Sequence, residues 1–307
     1  MTPNAITIQS LTKTYGPVTA VDNIDLTINT GELFGLIGPD GAGKTTVMRI
    51  LCGLLSNDSG QCRIFDYDVN TQIDPIHDMI GYMPQRFSLY PDLSIAENLR
   101  FFADLFQVDK AERKQRIERL LAFSRLGPFQ KRRANDLSGG MKQKLALSCT
   151  LIHTPKLLIL DEPTTGVDPV SRREFWKILK ELQSDGVTLL VSTPYMDEAN
   201  LCDRVAFMHQ GHIMAVDQPS NFANYLSDQL LELAHDDLYH TCQQLKHYAS
   251  VKRVQLFGDK IHVIVTDEAK FQNELQREKI SPKSVTPIAP GIEDVFIELM
   301  KAKAANE

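Results

Sequence analysis

The chain has 307 residues, 43% of them hydrophobic and 23% charged, and 33 basic against 39 acidic side chains leave a net charge of −6. That length suits two globular domains with real cores, and the acidic balance argues against a dedicated binder of nucleic acid. Five scattered cysteines (Cys52, Cys62, Cys149, Cys202, Cys242) form no CxxC pair, the N-terminus has no signal-peptide pattern, and the apolar runs at 157–160 and 187–191 are far too short to span a bilayer.

Along the chain, strands are predicted over 6–14, 20–28 and 32–37, then a glycine-rich turn and a helix over 45–53. The turn, Gly38, Pro39, Asp40, Gly41, Ala42, Gly43, Lys44, Thr45 and Thr46, carries G-x-x-x-x-G-K-T between strand and helix. That context marks a phosphate-binding loop rather than a structural glycine turn. Glycines let backbone N–H groups approach phosphate oxygens, and the following helix N-terminus adds favourable field for an anion. Lys44 is placed for the β and γ phosphates and Thr45 for Mg²⁺, while the Asp40 carboxylate is expected to face solvent.

Residues 93 to about 150 read as almost wholly helical and charge-rich, and strand and helix alternate again over 156–216. The pattern predicts an α/β core with an inserted helical subdomain. The apolar run at 157–160 ends in Asp161 and Glu162. Ligands of open α/β sheets bind at the carboxyl ends of strands, so Asp161 is placed to organise Mg²⁺ and Glu162 to polarise an attacking water. Alone, two such acids would read as a solvated strand end; the phosphate loop gives them a function.

After Pro219 the predicted order is strand (230–234), helix (237–248), strand (251–257), turn, strand (260–265), helix (268–278) and strand (283–287), closed by a helix over 292–301. This β-α-β-β-α-β order predicts a small ferredoxin-like α+β unit. The expected domains are therefore 1–218, for ATP binding, and 219–307, an accessory domain.

Leu137, Ser138, Gly139, Gly140 and Met141, opening a helix between the two motifs, give the reading its specificity. Over about 6–216 the chain resembles the ATPases of ABC transporters. The resemblance implies a phosphate-loop NTPase that binds ATP and Mg²⁺, with Tyr15 stacking on adenine and Gln85 sensing the γ-phosphate through Mg²⁺ and water. It implies that Asp168 lies at a dimer seam, where Ser138, Gly139 and Gly140 complete the site of a second ATPase domain, whether fused, paralogous or identical. Met141 in place of the more common glutamine, and the ending PGIEDVFIELM, resemble the drug- and ion-export (ABC-2 type) branch. That branch implies a multispanning membrane permease as partner, a cytoplasmic location on the inner membrane through it, and no nucleic acid. The chain fits either a complete subunit or the N-terminal half of a tandem ATPase.

One departure matters. Where the family places a switch histidine after the strand at 187–192, this sequence has Ser192, Thr193, Pro194, Tyr195 and Met196. Proline offers neither an imidazole nor an N–H, so the expectation is an altered site with low turnover by the isolated chain.

Other features carry less. His209 and His212 flank a hairpin glycine and read as surface residues; His240 and His247 could share a helix face but no acid or cysteine converges with them. The apolar loop at 86–93 either packs locally or, as the resemblance implies, receives a coupling helix of the permease. Lys131, Arg132 and Arg133 read as a solvated face. The competing functions are a soluble ABC-type ATPase of translation or repair, for which neither a coiled-coil heptad run nor a CxxC hook is present, and an ATP clamp without turnover, which Pro194 favours.

Overall fold

In the computed structural model residues 3–86 and 89–304 are described; Phe87 and Ser88 of the apolar loop lie outside them. The chain divides into two compact units, Met1–Pro219 and Ser220–Glu307.

The first unit opens with β1 (Asn4–Tyr15), β2 (Val18–Asn29) and β3 (Leu33–Ile37) and passes through the phosphate loop into α1 (Lys44–Leu51). Then come β4 (Ser59–Ile64), β5 (Tyr67–Asp68), α2 (Ile73–Met79) and β6 (Ile80–Met83). Three helices follow: α3 (Ile95–Leu105), α4 (Lys110–Phe123) and α5 (Gly139–Thr150). The unit ends with β7 (Leu157–Asp161), α6 (Pro169–Ser184), β8 (Thr188–Thr193), the short α7 (Met196–Ala199), β9 (Arg204–His209) and β10 (His212–Asp217).

Two sheets result: an antiparallel one in the order β2-β1-β4-β5, and a six-stranded one in the order β10-β9-β3-β8-β7-β6. In the second, β9, β3, β8, β7 and β6 run parallel. Every residue of β3, β7 and β8 is buried, which is why their apolar residues stand side by side in the sequence rather than alternating with polar ones. The strand order places the site. β8 lies between β3 and β7, pairing Thr193 with Ile37 and Ser192 with Asp161, so the phosphate loop and the two acids emerge at one edge on either side of it.

The inserted helices have their own core, in which Ile95, Leu99, Leu121, Leu137 and Leu145 pack together. A capping box between Ser94 and Glu97 starts α3. Asn98, fully buried, shapes the preceding loop: its amide donates to the carbonyls of Tyr90, Leu93 and Ser94, and its oxygen accepts from Tyr90 N.

The second unit contains β11 (Gln229–Ala234), α8 (Leu238–Leu245), β12 (Val251–Phe257), β13 (Lys260–Val265), α9 (Glu268–Arg277), β14 (Ser284–Pro287) and α10 (Ile292–Ala304). Its antiparallel sheet has the order β12-β13-β11-β14, which with the β-α-β-β-α-β sequence is the ferredoxin-like arrangement. Helix α8 ends at Leu245, so His247 lies beyond it and shares no helix face with His240, a correction to the sequence expectation. Helix α10 is tied to the sheet by polar groups: Asp294 Oδ1 is 2.9 Å from His262 Nδ1, and Arg253 Nη1 donates to Asp294 O at 3.0 Å.

Among the described residues no helix is long and apolar enough to cross a membrane, and no group of three or more His, Cys, Asp or Glu could hold a metal ion. All five cysteines are free and buried; burial pushes the thiols of Cys52, Cys149 and Cys202 well up and that of Cys62 to about 12. They are packing residues.

Candidate functional site

The phosphate loop bends where its glycines allow it. Gly41 and Gly43 have φ of 78° and 108°, and a Cβ on Gly38 would come within 2.1 Å of Met208 O. Gly38 N donates to Thr193 O at 3.3 Å, so the loop is stitched to the end of β8. A cleft of about 450 Å³ opens there, lined by Ala20, residues 40–46, Gln85 and Glu162. Asp40 is exposed, and its carboxylate is free to face solvent.

Lys44 is nearly fully buried, an arrangement that requires partners for its charge. Its Nζ donates to Gly38 O at 2.7 Å and Pro39 O at 3.0 Å and lies 3.1 Å from Glu162 Oε1. The other carboxylate oxygen of Glu162 accepts from Gln85 Nε2 at 2.8 Å and Thr165 Oγ1 at 3.2 Å. Glu162 has φ of 48°, a left-handed backbone that costs a non-glycine residue about 1 kcal/mol or more and persists only where neighbours enforce it. Here Ser192 enforces it, accepting Glu162 N–H at both its hydroxyl (2.9 Å) and its carbonyl (3.2 Å).

Ser192 Oγ also donates to Asp161 Oδ1 at 2.7 Å. The second oxygen, Asp161 Oδ2, is buried with no hydrogen-bond partner in the structure. A buried carboxylate oxygen left unpaired is costly, and it is the kind of atom a hard cation or its bound water satisfies. Thr45 and Gln85 line the cleft beside Glu162, the neighbour of Asp161 in the chain, and oxygen donors of these types fit Mg²⁺.

The remaining sequence-predicted residues lie outside this cleft. Tyr15 stands 46% exposed at the end of β1, where Thr14 pairs with Thr19, the residue before cleft-lining Ala20. Ser138 caps α5 by accepting Met141 N–H at 3.4 Å. Gly140 packs on α6 so closely that a Cβ would be 2.6 Å from Ser171. A Cβ on Gly139 would be 3.6 Å from Gly166 O, so the signature and the segment carrying Asp168 form one surface. Asp168 caps α6, accepting from Val170 N (3.0 Å) and Ser171 N (2.9 Å), and the hydrogen bonds from Ser171 hold its carboxyl below the usual range. Ser138, Gly139 and Asp168 are exposed.

Sequence reasoning missed a buried hub behind the acids. Glu198 accepts from Thr164 Oγ1 at 2.8 Å, Thr193 Oγ1 at 2.6 Å and Arg172 Nε at 3.2 Å. The Arg172 guanidinium also stacks 4.2 Å from the Tyr195 ring centroid. Pro194 therefore lies in a segment tied on both sides. Only the pairing of β7 with β8 and the approach of α6 bring these residues together.

A strand-loop-helix phosphate site facing two acids across a central parallel strand defines a phosphate-loop NTPase. The ABC transporter family model matches residues 21–165. The chain is 39% identical over 311 residues to the probable multidrug ABC transporter ATP-binding protein YbhF of Escherichia coli, aligning over all of this chain but 54% of that protein. It thus spans about half the length of that relative. It is 34% identical over 294 residues to the Nod factor export ATP-binding protein I of Cupriavidus metallidurans, covering 95% of this chain and 96% of the relative. Among solved structures, a dimeric ATP-binding cassette in a post-hydrolysis state, bound to ADP and Pi, matches with a TM-score of 0.63 at 28% identity, covering 69% of this chain and 98% of that one. The chain belongs to the ATP-binding proteins of ABC transporters and carries their ATPase fold.

Proposed function

We propose that this chain is the ATPase motor of an exporter: two such domains close on ATP, and closure drives a multispanning membrane permease. The observation that supports this best is the division of the site into two surfaces. The cleft holds Lys44, Gln85 and Glu162, whereas Ser138, Gly139 and Asp168 lie exposed beyond it. A second domain supplying its own signature surface would complete the cleft, with a hydroxyl, backbone amides and a helix N-terminus for the γ-phosphate.

In this reading Lys44 exchanges its carbonyl partners for the β and γ phosphate oxygens, and Glu162 takes the proton of the attacking water. Thr45, Asp161 and Gln85 would hold Mg²⁺, which when bound neutralises charge on the β and γ phosphates. Tyr15 serves as the platform for the adenine ring. The groove lined by Gln85, Leu89, Pro91, Asn135 and Lys142 would receive a segment of the permease. Drug-like compounds are the leading substrate class, in line with the name of the E. coli relative, and monovalent cations the alternative.

Pro194 sets the chain apart. Where a histidine would donate to the γ-phosphate, it donates nothing, so this chain's own pocket mainly holds ATP and a partner's pocket does most of the hydrolysis. The same residue favours a second reading, a clamp that binds ATP without turnover. Two measurements test the assignment. Mg·ATP titration should show tight binding that Lys44→Ala abolishes, and the chain should co-purify with a multispanning permease. Unchanged affinity in Lys44→Ala would contradict the site; a partner that is a ribosome or DNA complex would contradict the exporter.

A further inference from the structure

Tyr15 ends a strand whose ladder is interrupted between Ile8 and Thr14. Ser10 has φ of 50°, and the pairing of β1 with β2 shifts between Ile8 and Leu11, between Leu11 and Lys13 and between Lys13 and Thr14. The pairing with β4 also jumps, from Gln9 to Thr12. Where ladder bonds are interrupted the bulged residues need other partners. Asp25 Oδ1 accepts from Ser10 N at 2.9 Å, and Thr12 Oγ1 accepts from Asn23 N at 3.1 Å.

The final residues before Tyr15 are gripped by one carboxylate. Asp58 accepts from Lys13 Nζ at 2.7 Å, from Thr14 N at 2.7 Å and from Thr14 Oγ1 at 2.6 Å, and its own N–H donates to Thr12 O at 3.0 Å. The turn that carries Asp58 is itself fixed. Asn57 Nδ2 donates to the carbonyls of Ser59 and Gly60, both at 2.9 Å. Gly60, at φ 85°, lies so close to β1 that a Cβ would be 2.3 Å from Ser10 O. Lys13, held by Asp58, places its ammonium 5.8 Å from the centroid of the Tyr15 ring, within cation–π range.

We propose that Asp58 is a positioning residue for recognition of the nucleotide base: it locks Lys13 and Thr14 so that Tyr15 presents its ring, flanked by the Lys13 ammonium, to a purine. The proposal rests on the reading of Tyr15 as the adenine platform. Asp58 touches no nucleotide itself. Its loss frees the strand end, so that the ring must be ordered at the moment of binding, an entropy cost that falls on the base and not on the phosphates.

The test compares ATP with inorganic tripolyphosphate, which fits the phosphate loop but has no base. Both are titrated at fixed Mg²⁺ against the unmodified chain, Asp58→Ala, Tyr15→Ala and the double variant. Asp58→Ala should weaken ATP binding by about tenfold, within the range of one base–aromatic stack, and leave tripolyphosphate affinity unchanged. In the Tyr15→Ala background it should cost nothing further, because the two residues act through one contact. Thr14→Val, which deletes only the hydroxyl bond, should give a smaller loss in the same direction and serves if Asp58→Ala folds poorly. An equal loss for both ligands, or a loss that adds to that of Tyr15→Ala, would overturn the role of Asp58 alone. ATP affinity untouched by Tyr15→Ala would overturn the platform and this proposal with it.

Discussion

Lys44 Nζ lies 3.1 Å from Glu162 Oε1, and both side chains are almost wholly buried. The principal cation of the phosphate loop and the proposed general base thus share one contact, while Gln85 holds the other carboxylate oxygen at 2.8 Å. Phosphate oxygens and Glu162 compete for the same ammonium, so binding and water activation are linked through Lys44. Glu162→Gln keeps the shape and the bond to Thr165 but has neither the charge nor the basicity. Hydrolysis in a completed site should fall by about 10²–10⁴-fold, with Mg·ATP affinity retained or improved. Single-turnover measurement with radiolabelled ATP, alongside equilibrium binding, checks both halves.

The hub behind the acids should matter for stability. Glu198 is 2% exposed and accepts from Thr164, Thr193 and Arg172. Glu198→Ala leaves the buried Thr164 and Thr193 hydroxyls without their acceptor and Arg172 with Asp197, at 2.9 Å, as its remaining ion-pair partner; a buried polar group left unsatisfied costs about 1–3 kcal/mol. Urea denaturation should show that loss. A change below about 1 kcal/mol, the scale of a solvated pair, would contradict the hub.

His153 should make the first unit sensitive to acid. Its Nε2 is 2.8 Å from Ile80 O, its ring stacks on Phe106 at 4.1 Å, and Nδ1 is buried without a partner. Burial holds its pKa below the ordinary value of about 6.5. The unfolded chain therefore binds the proton more readily. The contribution of His153 is complete above about pH 6.5 and is lost as pH falls from there through the folded value. Denaturant curves from about pH 7.5 to 5.5 should show the unmodified chain losing stability relative to His153→Phe, which keeps the stack but does not titrate. Parallel pH profiles would contradict this.

The boundary at Pro219 has a direct test. The contact pattern separates Met1–Pro219 from Ser220–Glu307, and each has its own core. Residues 1–219 alone should fold and bind ATP with affinity within about threefold of the full chain, as expected of a compact unit with its own core. Failure to fold, or loss of ATP binding, would place the boundary elsewhere.

What could be read in the sequence follows from how locally each feature is encoded. The phosphate loop, the acids after β7 and the signature are contiguous motifs whose backbone demands, such as positive φ at Gly41 and Gly43, fix residue types in place. The strands β3, β7 and β8 announced themselves as apolar runs. By contrast β4, β5, α2 and β6 are short and have weak periodicity, and they were not legible. The roles of Ser192, Glu198, Arg172 and Asp58 depend on strand order and on bonds between residues far apart in the chain, 45 residues between Lys13 and Asp58 and 31 between Ser192 and Asp161. Serine at the end of a strand carries no signal until β8 is known to lie between β3 and β7. Pro194 is the opposite case: the motif showed the missing histidine, and the structure adds that its neighbours are tied to Glu198 and to the phosphate loop.

If Pro194 supplies no donor to the γ-phosphate, this chain binds ATP but turns it over slowly. The most direct measurement is steady-state ATPase activity of the isolated chain beside Pro194→His and the double variant Pro194→His with Glu162→Gln. One positioned charge-stabilising donor is worth about 10²–10³ in rate. The expected result is tight ATP binding with slow turnover for the unmodified chain, a rise of at least about tenfold in Pro194→His, and loss of that rise when Glu162 is also replaced. Brisk turnover by the unmodified isolated chain, abolished by Glu162→Gln, would contradict it.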